Sequence, residues 1–315
     1  MWSGVRGSPT GCEGSTEQVE VTLDPGRIGV WTGLLDSLPA ARAVETVAEL
    51  ESMGYGAVWI PETVGRDALV HAGLLLGGSE RIVVATGIAN VYARDAVTMA
   101  NGARTLAEAY PDRFLLGVGV SHEPLVARIR GHDWGRPVTY LRRYLHAMAD
   151  APYWAHRPSA DPPVCVGALG PRALALAAEL TWGAHPYNVT VDHTAGAREL
   201  MGPDAFLAPM AAVTVESDAS RAREIGRQTL GFYLDLPNYR NSLRRQGFDD
   251  EDFVDGGSDR IVDALRPWGD VEKVAASVRE HLDAGANHVC VQVMNLPGDE
   301  LPLDGWRALA SALVG

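Results

Sequence analysis

The chain contains almost no lysine. Lys273 is the only one among 27 lysine and arginine residues. A Walker-type phosphate loop needs a Gly-Lys-Ser/Thr end, which this sequence does not have, and Lys273 alone is a poor candidate for Schiff-base chemistry. The net charge of −13 leaves no basic face for an affinity built on phosphate contacts. We therefore expect no nucleic-acid partner.

Cysteine is scarce, and long apolar runs are missing. The three cysteines, Cys12, Cys165 and Cys290, lie far apart, which fits neither a disulfide framework nor a Cys-x-x-Cys site. No run approaches the ~18 apolar residues that cross a bilayer, and the start of the chain lacks the apolar core of a signal peptide. No His-Glu-x-x-His or comparable spacing indicates a metal. We expect a cytoplasmic protein with no membrane contact and no metal.

Short apolar runs alternate with segments of helical period, a pattern typical of β/α units around a parallel sheet. Residues 1–27 are rich in Gly, Ser, Thr and Glu without a period, so we predict a flexible leader there and one barrel domain over 28–315. The fold class is α/β, a (β/α)₈ TIM barrel. Its eight strands are predicted at 27–32, 57–60, 81–86, 114–118, 164–166, 182–185, 205–215 and 288–294.

Residues 235–268 form a segment too long and too polar for an ordinary β/α connection. It lies between the predicted helix 219–234 and the predicted helix 271–284, and we interpret it as a helical insertion between the seventh and eighth strands. Tyr239, Leu243, Phe248 and Phe253 interrupt its charge. One interpretation is a small solvated helical pair, and the other is a lid over the barrel mouth.

Chemistry in such barrels lies at the carboxyl ends of the strands, and three side chains there are candidate catalytic groups. Glu62 follows Pro61 at the end of the second strand, where burial would raise its pKa toward proton donation. The alternative is an ion pair with a nearby arginine such as Arg66. His122 and His185 also follow strands, and we rank the three proton donors as Glu62, His122 and His185.

Glycines cluster at the same strand ends, where they permit close approach of a flat ring or a phosphate, or simply make turns. The run Gly117-Val-Gly-Val-Ser-His122 is only a fragment of a dinucleotide-binding motif, because His122 replaces the third glycine. The run Gly167-Ala-Leu-Gly-Pro171 is more informative. Its proline at the first helical position would direct free N–H groups at an anion.

Five stretches of sequence together resemble the luciferase-like monooxygenase superfamily, and more narrowly its actinobacterial branch that uses the deazaflavin coenzyme F420. The resemblance begins near Ile28, runs to the C-terminus and omits only the leader. The stretches are Arg27-Ile-Gly-Val-Trp-Thr32, Gly56-Ala-Val-Trp-Ile-Pro-Glu62, Ala85-Thr-Gly-Ile-Ala-Asn90, Tyr110-Pro-Asp-Arg-Phe-Leu-Leu-Gly-Val-Gly-Val-Ser-His122 and Gly167-Ala-Leu-Gly-Pro171.

This resemblance implies a non-prolyl cis peptide at Gly87-Ile88, whose bulge supports the back of the cofactor ring. It places Gly119 to His122 and Gly167 to Pro171 along the ring edge and the ribityl phosphate, and His185, Tyr187 and Asn188 near the tail. The predicted cofactor-binding residues lie at the strand ends and in the loops that follow. They are Thr32, Thr86, Gly87, Ile88, Asn90, Gly119, Val120, Ser121, Gly167, Ala168, Gly170, Pro171 and Tyr187.

The resemblance further implies hydride transfer between C5 of coenzyme F420 and a small organic substrate at the barrel mouth, in a homodimer. The first loop, Thr32-Gly-Leu-Leu-Asp36, carries no histidine, which argues against the sugar-phosphate mechanism of the superfamily's glucose-6-phosphate dehydrogenases. Two alternatives stay open: an FMN-dependent two-component monooxygenase that uses the same cavity, and a non-catalytic flavin-binding barrel.

Overall fold

The computed structural model describes residues 22–295 and 300–314. The strands are β1 (Ile28–Trp31), β2 (Ala57–Ile60), β3 (Val83–Thr86), β4 (Ala89–Asn90), β5 (Phe114–Gly119), β6 (Val164–Val166), β7 (Gly183–Ala184), β8 (Phe206–Leu207), β9 (Met210–Val215), β10 (Trp268–Gly269) and β11 (Val289–Val293). The α-helices are α1 (Ala40–Ser52), α2 (Ala68–Gly77), α3 (Ala96–Ala109), α4 (Pro137–Ala149), α5 (Pro171–Leu180), α6 (Val191–Met201), α7 (Ala219–Leu234), α8 (Pro237–Arg245), α9 (Asp259–Leu265), α10 (Val271–Asp283) and α11 (Leu303–Leu313).

A closed parallel barrel of eight strands confirms the predicted fold. The order runs β1, β2, β3, β5, β6 and β7, and β1 also pairs with β11. The seventh barrel strand is interrupted: β8 pairs with β7, whereas β9 pairs with β11. A parallel bridge between Tyr187 and Met210 joins the β7 side to β9 and completes the circle. Short β4 lies outside this circle and pairs with the end of β5.

Successive side chains along each strand point to opposite faces of the sheet, and this creates two apolar cores. One face packs against the helices, and the other fills the barrel interior, which includes Trp59, Leu115 and Cys290. A polar chain crosses this interior: Trp59 Nε1 donates to His288 Nε2 at 3.0 Å, and His288 Nδ1 lies 2.8 Å from the carbonyl oxygen of Gly26. His288 therefore carries its proton on Nδ1. Burial lowers its pKa to about 4, which keeps the ring neutral.

The core begins upstream of the predicted domain start at Ile28. Leu23 is buried in the interior cluster, and Gly26 accepts the hydrogen bond from His288. Residues 22–27 are therefore part of the base of the barrel and not of a leader. The rest of the predicted leader, residues 1–21, lies outside the described residues, as does Cys12. Cys165 and Cys290 are both free and buried, as expected of small apolar side chains.

The inserted layer consists of α7, α8 and α9, of which α8 and α9 lie within the predicted insertion 235–268. Helices α7, α8 and α9 share an apolar cluster of their own, which includes Leu230 of α7, Leu243 of α8 and Ile261 of α9. Helix α7 also packs on β9 and β10, while α10 packs on β9 and β11. Among the helices of the described residues, none is long and apolar enough to cross a bilayer.

Three buried histidines predict an acid-labile fold. Burial lowers the pKa of His185, His281 and His288 to about 4 each. The unfolded chain, with histidine pKa values near 6.5, binds more protons below that pH, so stability is lost as pH falls from about 6.5 toward 4. From pH 7 to pH 5 each histidine should cost about 2 kcal/mol. Urea unfolding at both pH values measures this.

The variant His281→Gln is the control, because glutamine does not titrate. Its free energy of unfolding should fall by about 2 kcal/mol less between the two pH values than that of the natural chain. Equal losses in both proteins would show that His281 is not a source of the acid lability.

Candidate active site at the mouth of the barrel

A cavity of about 510 Å³ opens at the carboxyl ends of the barrel strands. It brings together most of the predicted site residues, although they come from five separate strand ends. Those that line it are Glu62, Gly87, Ile88, Gly119, Val120, Ser121, His122, Gly167, Ala168, Gly170, Pro171, His185 and Tyr187. A volume of this size suits a ring system or a drug-sized ligand.

Ile88 forms the floor of the cavity, directly after β3. The Gly87-Ile88 peptide bond is cis, as the resemblance implied. Trp31 Nε1 donates to the Gly87 carbonyl oxygen at 3.0 Å, and Gly87 N donates to Ile60 O at 2.7 Å. The backbone turn is thus held from both sides, and it presents the Ile88 side chain and its peptide to the cavity.

The glycines of β5 and of the loop after β6 make room for Ile88 itself. A Cβ atom on Gly119 would lie 2.9 Å from Ile88 Cγ1, and one on Gly167 would lie 3.1 Å from Ile88 Cγ2. A Cβ on Gly117 would lie 1.9 Å from the Thr86 carbonyl oxygen. A side chain at any of the three positions would therefore meet protein atoms, and the role of Gly119 and Gly167 toward a ligand stays a prediction, since both also line the cavity.

Glu62 is held in an ion pair at the edge of the cavity. Its carboxylate accepts hydrogen bonds from Asn90 N at 2.7 Å and Ala68 N at 3.2 Å, and it forms a two-pronged ion pair with Arg94. These contacts favour the ion-pair alternative over proton donation, since both oxygens are occupied by donors. The partner is Arg94 and not Arg66, whose guanidinium donates to backbone carbonyls near the first loop.

Glu62 also braces the floor. Its backbone N donates to Ile88 O at 3.3 Å, while its side chain accepts from Asn90 N two residues further on. These two hydrogen bonds connect both ends of the segment Ile88 to Asn90 to the end of β2. In this arrangement Glu62 positions the floor of the cavity.

His185 is a neutral acceptor in the lower part of the cavity. Its ring stacks on Trp59 with centroids 4.4 Å apart, and its Nδ1 lies 2.8 Å from Ala208 O. The carbonyl partner fixes the proton on Nδ1, which leaves Nε2 as an acceptor. Nε2 is buried and has no partner among the described residues. Burial lowers the pKa of His185 to about 4, so the ring cannot donate a proton from Nε2 near neutral pH.

His122 follows β5 and is surrounded by aromatic rings of α7 and α8. Its ring centroid is 5.8 Å from that of Tyr239, and it meets Tyr233 and Phe232 edge to face. Nδ1 is buried without a hydrogen-bond partner among the described residues. Burial lowers the pKa of His122 below its ordinary value. Neutral imidazole is therefore the resting form, which can accept a proton.

One end of the cavity is suited to an anion. Helix α5 begins there at Pro171, its N-cap Gly170 provides no side-chain cap, and Pro171 occupies the first position. A Cβ on Gly170 would have Arg245 Nη2 as its nearest atom, at 3.4 Å. Arg172 also lines this end, and both arginines are exposed. The predicted anion site at Gly167 to Pro171 is thus joined by two cations.

Three predicted cofactor-binding residues do not line the cavity. Thr32 Oγ1 accepts from Leu34 N at 3.2 Å and caps the first loop. Thr86 Oγ1 exchanges hydrogen bonds with the Gly117 backbone at 2.7 and 2.9 Å. Asn90 Oδ1 accepts from Tyr92 N at 2.9 Å. All three are buried and fasten the strand ends that carry the floor.

The inserted layer supplies residues that sequence reasoning did not assign to the site. Tyr233 lies in the last turn of α7, while Asn238, Tyr239 and Arg245 belong to α8, and all four line the cavity. The lid interpretation of residues 235–268 stays a prediction. The aromatic residues within its charged sequence were the available signal. The other lining residues that the sequence did not assign to the site are Pro61, Thr63, Leu125, Trp134, Pro137, Val138, Arg172 and Ala173.

Within residues 22–295 and 300–314, no group of three or more His, Cys, Asp or Glu side chains is placed to hold a metal ion.

Comparisons with known proteins agree with this architecture. The chain is 24% identical to the 5,10-methylenetetrahydromethanopterin reductase of Methanolobus tindarius over 282 residues, covering 76% of this chain and 86% of that protein. Among solved structures, the coenzyme F420-dependent tetrahydromethanopterin reductase of Methanopyrus kandleri matches with a TM-score of 0.74 and 16% identity, covering 92% of this chain and 99% of that chain.

A second solved structure matches with a TM-score of 0.68 and 13% identity, covering 91% of this chain and 97% of that chain. It is the oxygenating constituent of 3,6-diketocamphane monooxygenase, a type II Baeyer-Villiger monooxygenase from Pseudomonas putida in complex with FMN. At these identities the two structures show a common fold. The family model described as luciferase-like monooxygenase matches residues 21–288. The chain therefore belongs to the luciferase-like monooxygenase family.

Proposed function

We propose that this chain is an oxidoreductase that transfers a hydride between coenzyme F420 and a small organic substrate. The observation that carries the proposal is the Ile88 floor, with the buried, unpartnered Nε2 of His185 beside it and an arginine-flanked helix N-terminus at one end of the same cavity. A flat ring with an anionic tail matches that arrangement. The F420-dependent tetrahydromethanopterin reductase of the same fold supports the choice of deazaflavin.

The residues present fit the group. Ile88 and Trp31 would contact the ring, and Nε2 of His185 would accept a hydrogen bond from an N–H or O–H of the ligand. Gly170, the α5 N-terminus, Arg172 and Arg245 would hold its phosphate. When bound, a reduced deazaflavin supplies a hydride from C5. The chain itself orients both reactants, excludes water and moves one proton.

His122 is our choice for the group that moves the proton. Glu62 is committed to Arg94, and His185 has its only proton on Nδ1, directed at Ala208. His122 has an unpartnered Nδ1, lines the cavity and is neutral at rest. It would accept the hydroxyl proton during oxidation of an alcohol, and its conjugate acid would return that proton in the reverse direction.

We further propose that the protein is a cytoplasmic homodimer. Val70 and Leu74 of α2 and Val97 of the neighbouring α3 are exposed apolar side chains on the outside of the barrel. Such a surface suits self-association of two copies through barrel helices.

A binding titration tests the cofactor assignment. Oxidised coenzyme F420 and FMN are titrated separately into the purified protein, with ligand fluorescence as the readout. We expect micromolar or tighter binding of F420 and at least tenfold weaker binding of FMN. Preference for FMN would move the chain to the oxygen-using side of the family, represented by the FMN-bound monooxygenase. Binding of neither would remove the proposal.

Substitution of His122 tests the proton assignment. The variant His122→Gln should lower the rate of F420 reduction by about 10²- to 10⁴-fold, because general base catalysis is lost. In the natural enzyme the rate should fall as pH drops through a pKa below about 6.5, and this acid limb should be absent in the variant. An acid limb that persists unchanged in His122→Gln would assign the proton to another group. The dissociation constant of F420, measured in parallel, separates binding from turnover.

A further inference from the structure

Arg245 is a cation of the inserted layer that lies at the anion end of the cavity. Arg240 and Arg244 of the same helix each form an ion pair with an aspartate. Among the residues that the structure describes, no carboxylate pairs with Arg245, although the chain carries a net charge of −13. Its Nη2 lies beside Gly170, and both residues line the cavity. The guanidinium is therefore accessible to a ligand that reaches the start of α5.

Gln246, the residue after Arg245, fastens the end of α8 to the start of α6. Its Oε1 accepts hydrogen bonds from Thr190 Oγ1 at 2.6 Å and from Thr190 N at 3.3 Å. Its Nε2 donates to Ser242 O at 3.1 Å and to Ser242 Oγ at 3.2 Å. Both halves of the amide are thus occupied, one on α6 and one within α8. Gln246 therefore fixes the position of the last turn of α8, which carries Arg245.

Thr190 connects this anchor to the loop before α5. It is the N-cap of α6, and its Oγ1 accepts from His193 N at 3.2 Å. His193 Nε2 in turn lies 2.9 Å from Leu169 O, and this carbonyl partner places the ring proton on Nε2. Burial lowers the pKa of His193, so the ring is neutral near pH 7 and keeps this donor. Leu169 belongs to the loop before α5 and lines the cavity.

These contacts surround the anion end of the cavity. Hydrogen bonds connect the loop before α5 to α6 and α6 to α8, and Arg245 of α8 returns to Gly170 on the same loop. The last connection is open, because Arg245 and Gly170 both face the cavity. An anion there would accept hydrogen bonds from the guanidinium and from backbone N–H groups at the start of α5.

We propose that Thr190 and Gln246 are positioning residues that make the cavity selective for a phosphorylated cofactor. The proposal rests on the function proposed above and specifies how that cofactor's phosphate is recognised. Gln246 sets the place of Arg245, and Thr190 holds Gln246 and, through His193, the loop before α5. Arg245 is exposed, and an exposed cation on a long side chain contributes little binding unless its geometry is fixed.

Two pairs of ligands measure this selectivity. Coenzyme F420 is compared with the deazaflavin whose ribityl chain ends in a hydroxyl group, and FMN is compared with riboflavin. The selectivity is the dissociation constant of the phosphate-free ligand divided by that of the phosphorylated one, read from ligand fluorescence. For the ring that the natural protein binds, we expect a selectivity of about tenfold or more.

The variants Gln246→Leu and Thr190→Val remove the two sides of the anchor with little change of shape. Each should lower the selectivity about threefold to tenfold and leave the dissociation constant of the phosphate-free ligand within about twofold. The double variant should lower the selectivity no further than one substitution does, because both break the same contact. Thr190→Ser keeps the hydroxyl group and should keep the selectivity of the natural protein.

Two neighbouring arginines provide the matched control. Arg245→Met should lower the selectivity about tenfold or more, because the anion loses the cation itself. Arg244→Met should leave it unchanged, since Arg244 pairs with Asp250 and is not among the residues that line the cavity. Thr190→Val also removes the N-cap of α6, so melting temperatures are measured for every variant. Gln246→Leu leaves that cap intact and decides the outcome if Thr190→Val does not fold.

Unchanged selectivity in Gln246→Leu would overturn the proposal. Equal weakening of both ligands of a pair would also overturn it, because a purely structural role produces that result. Losses that add in the double variant would show that Thr190 and Gln246 act separately, against the proposal. Equal binding of phosphorylated and phosphate-free ligands by the natural protein would exclude the anion end as a phosphate site. Failure of all four ligands to bind would instead remove the proposed function, and this inference with it.

Discussion

The contact of Ile88 with the glycines around it determines the shape of the site. Gly119 and Gly167 have hydrogen where any other residue would place a carbon about 3 Å from Ile88, so the isoleucine can lie flat across the end of the barrel. Glu62 holds the following residues through Ile88 O and Asn90 N, and Arg94 holds Glu62. The ends of β2, β3 and β5 are thus held around the side chain of Ile88, and the cavity lies above that side chain.

Neutral histidines complement this rigid floor. His185 and His288 both lie in the barrel interior with Nδ1 on a backbone carbonyl, and Trp59 contacts both rings. Burial keeps them uncharged, so the interior contains polar groups without full charges. The positively charged side chains that line the cavity are Arg172 and Arg245. The cavity thereby contains an acceptor that is free among the described residues, Nε2 of His185, and cations at one end.

Sequence patterns predicted the barrel because its strands are short apolar runs with turn signals at their ends, as at Ala57–Ile60 and Phe114–Gly119. They could not predict that α7 packs against α8 and α9 as well as on the barrel, because an amphipathic pattern does not identify the partners of a helix. The sequence analysis included an ion pair between Glu62 and an arginine as an alternative. It could not identify Arg94 as the partner, because Arg94 lies on a loop whose conformation depends on the Ile88 floor.

The central claim is that the Ile88 floor supports the bound cofactor ring, and substitution of that side chain tests it most directly. The measurement is the dissociation constant of coenzyme F420 for Ile88→Ala, with Ile129→Ala as the matched control because Ile129 is exposed on a separate turn. We predict that coenzyme F420 binds at least tenfold more weakly to Ile88→Ala and with unchanged affinity to Ile129→Ala. Unchanged affinity in Ile88→Ala, with the protein still folded, would contradict it.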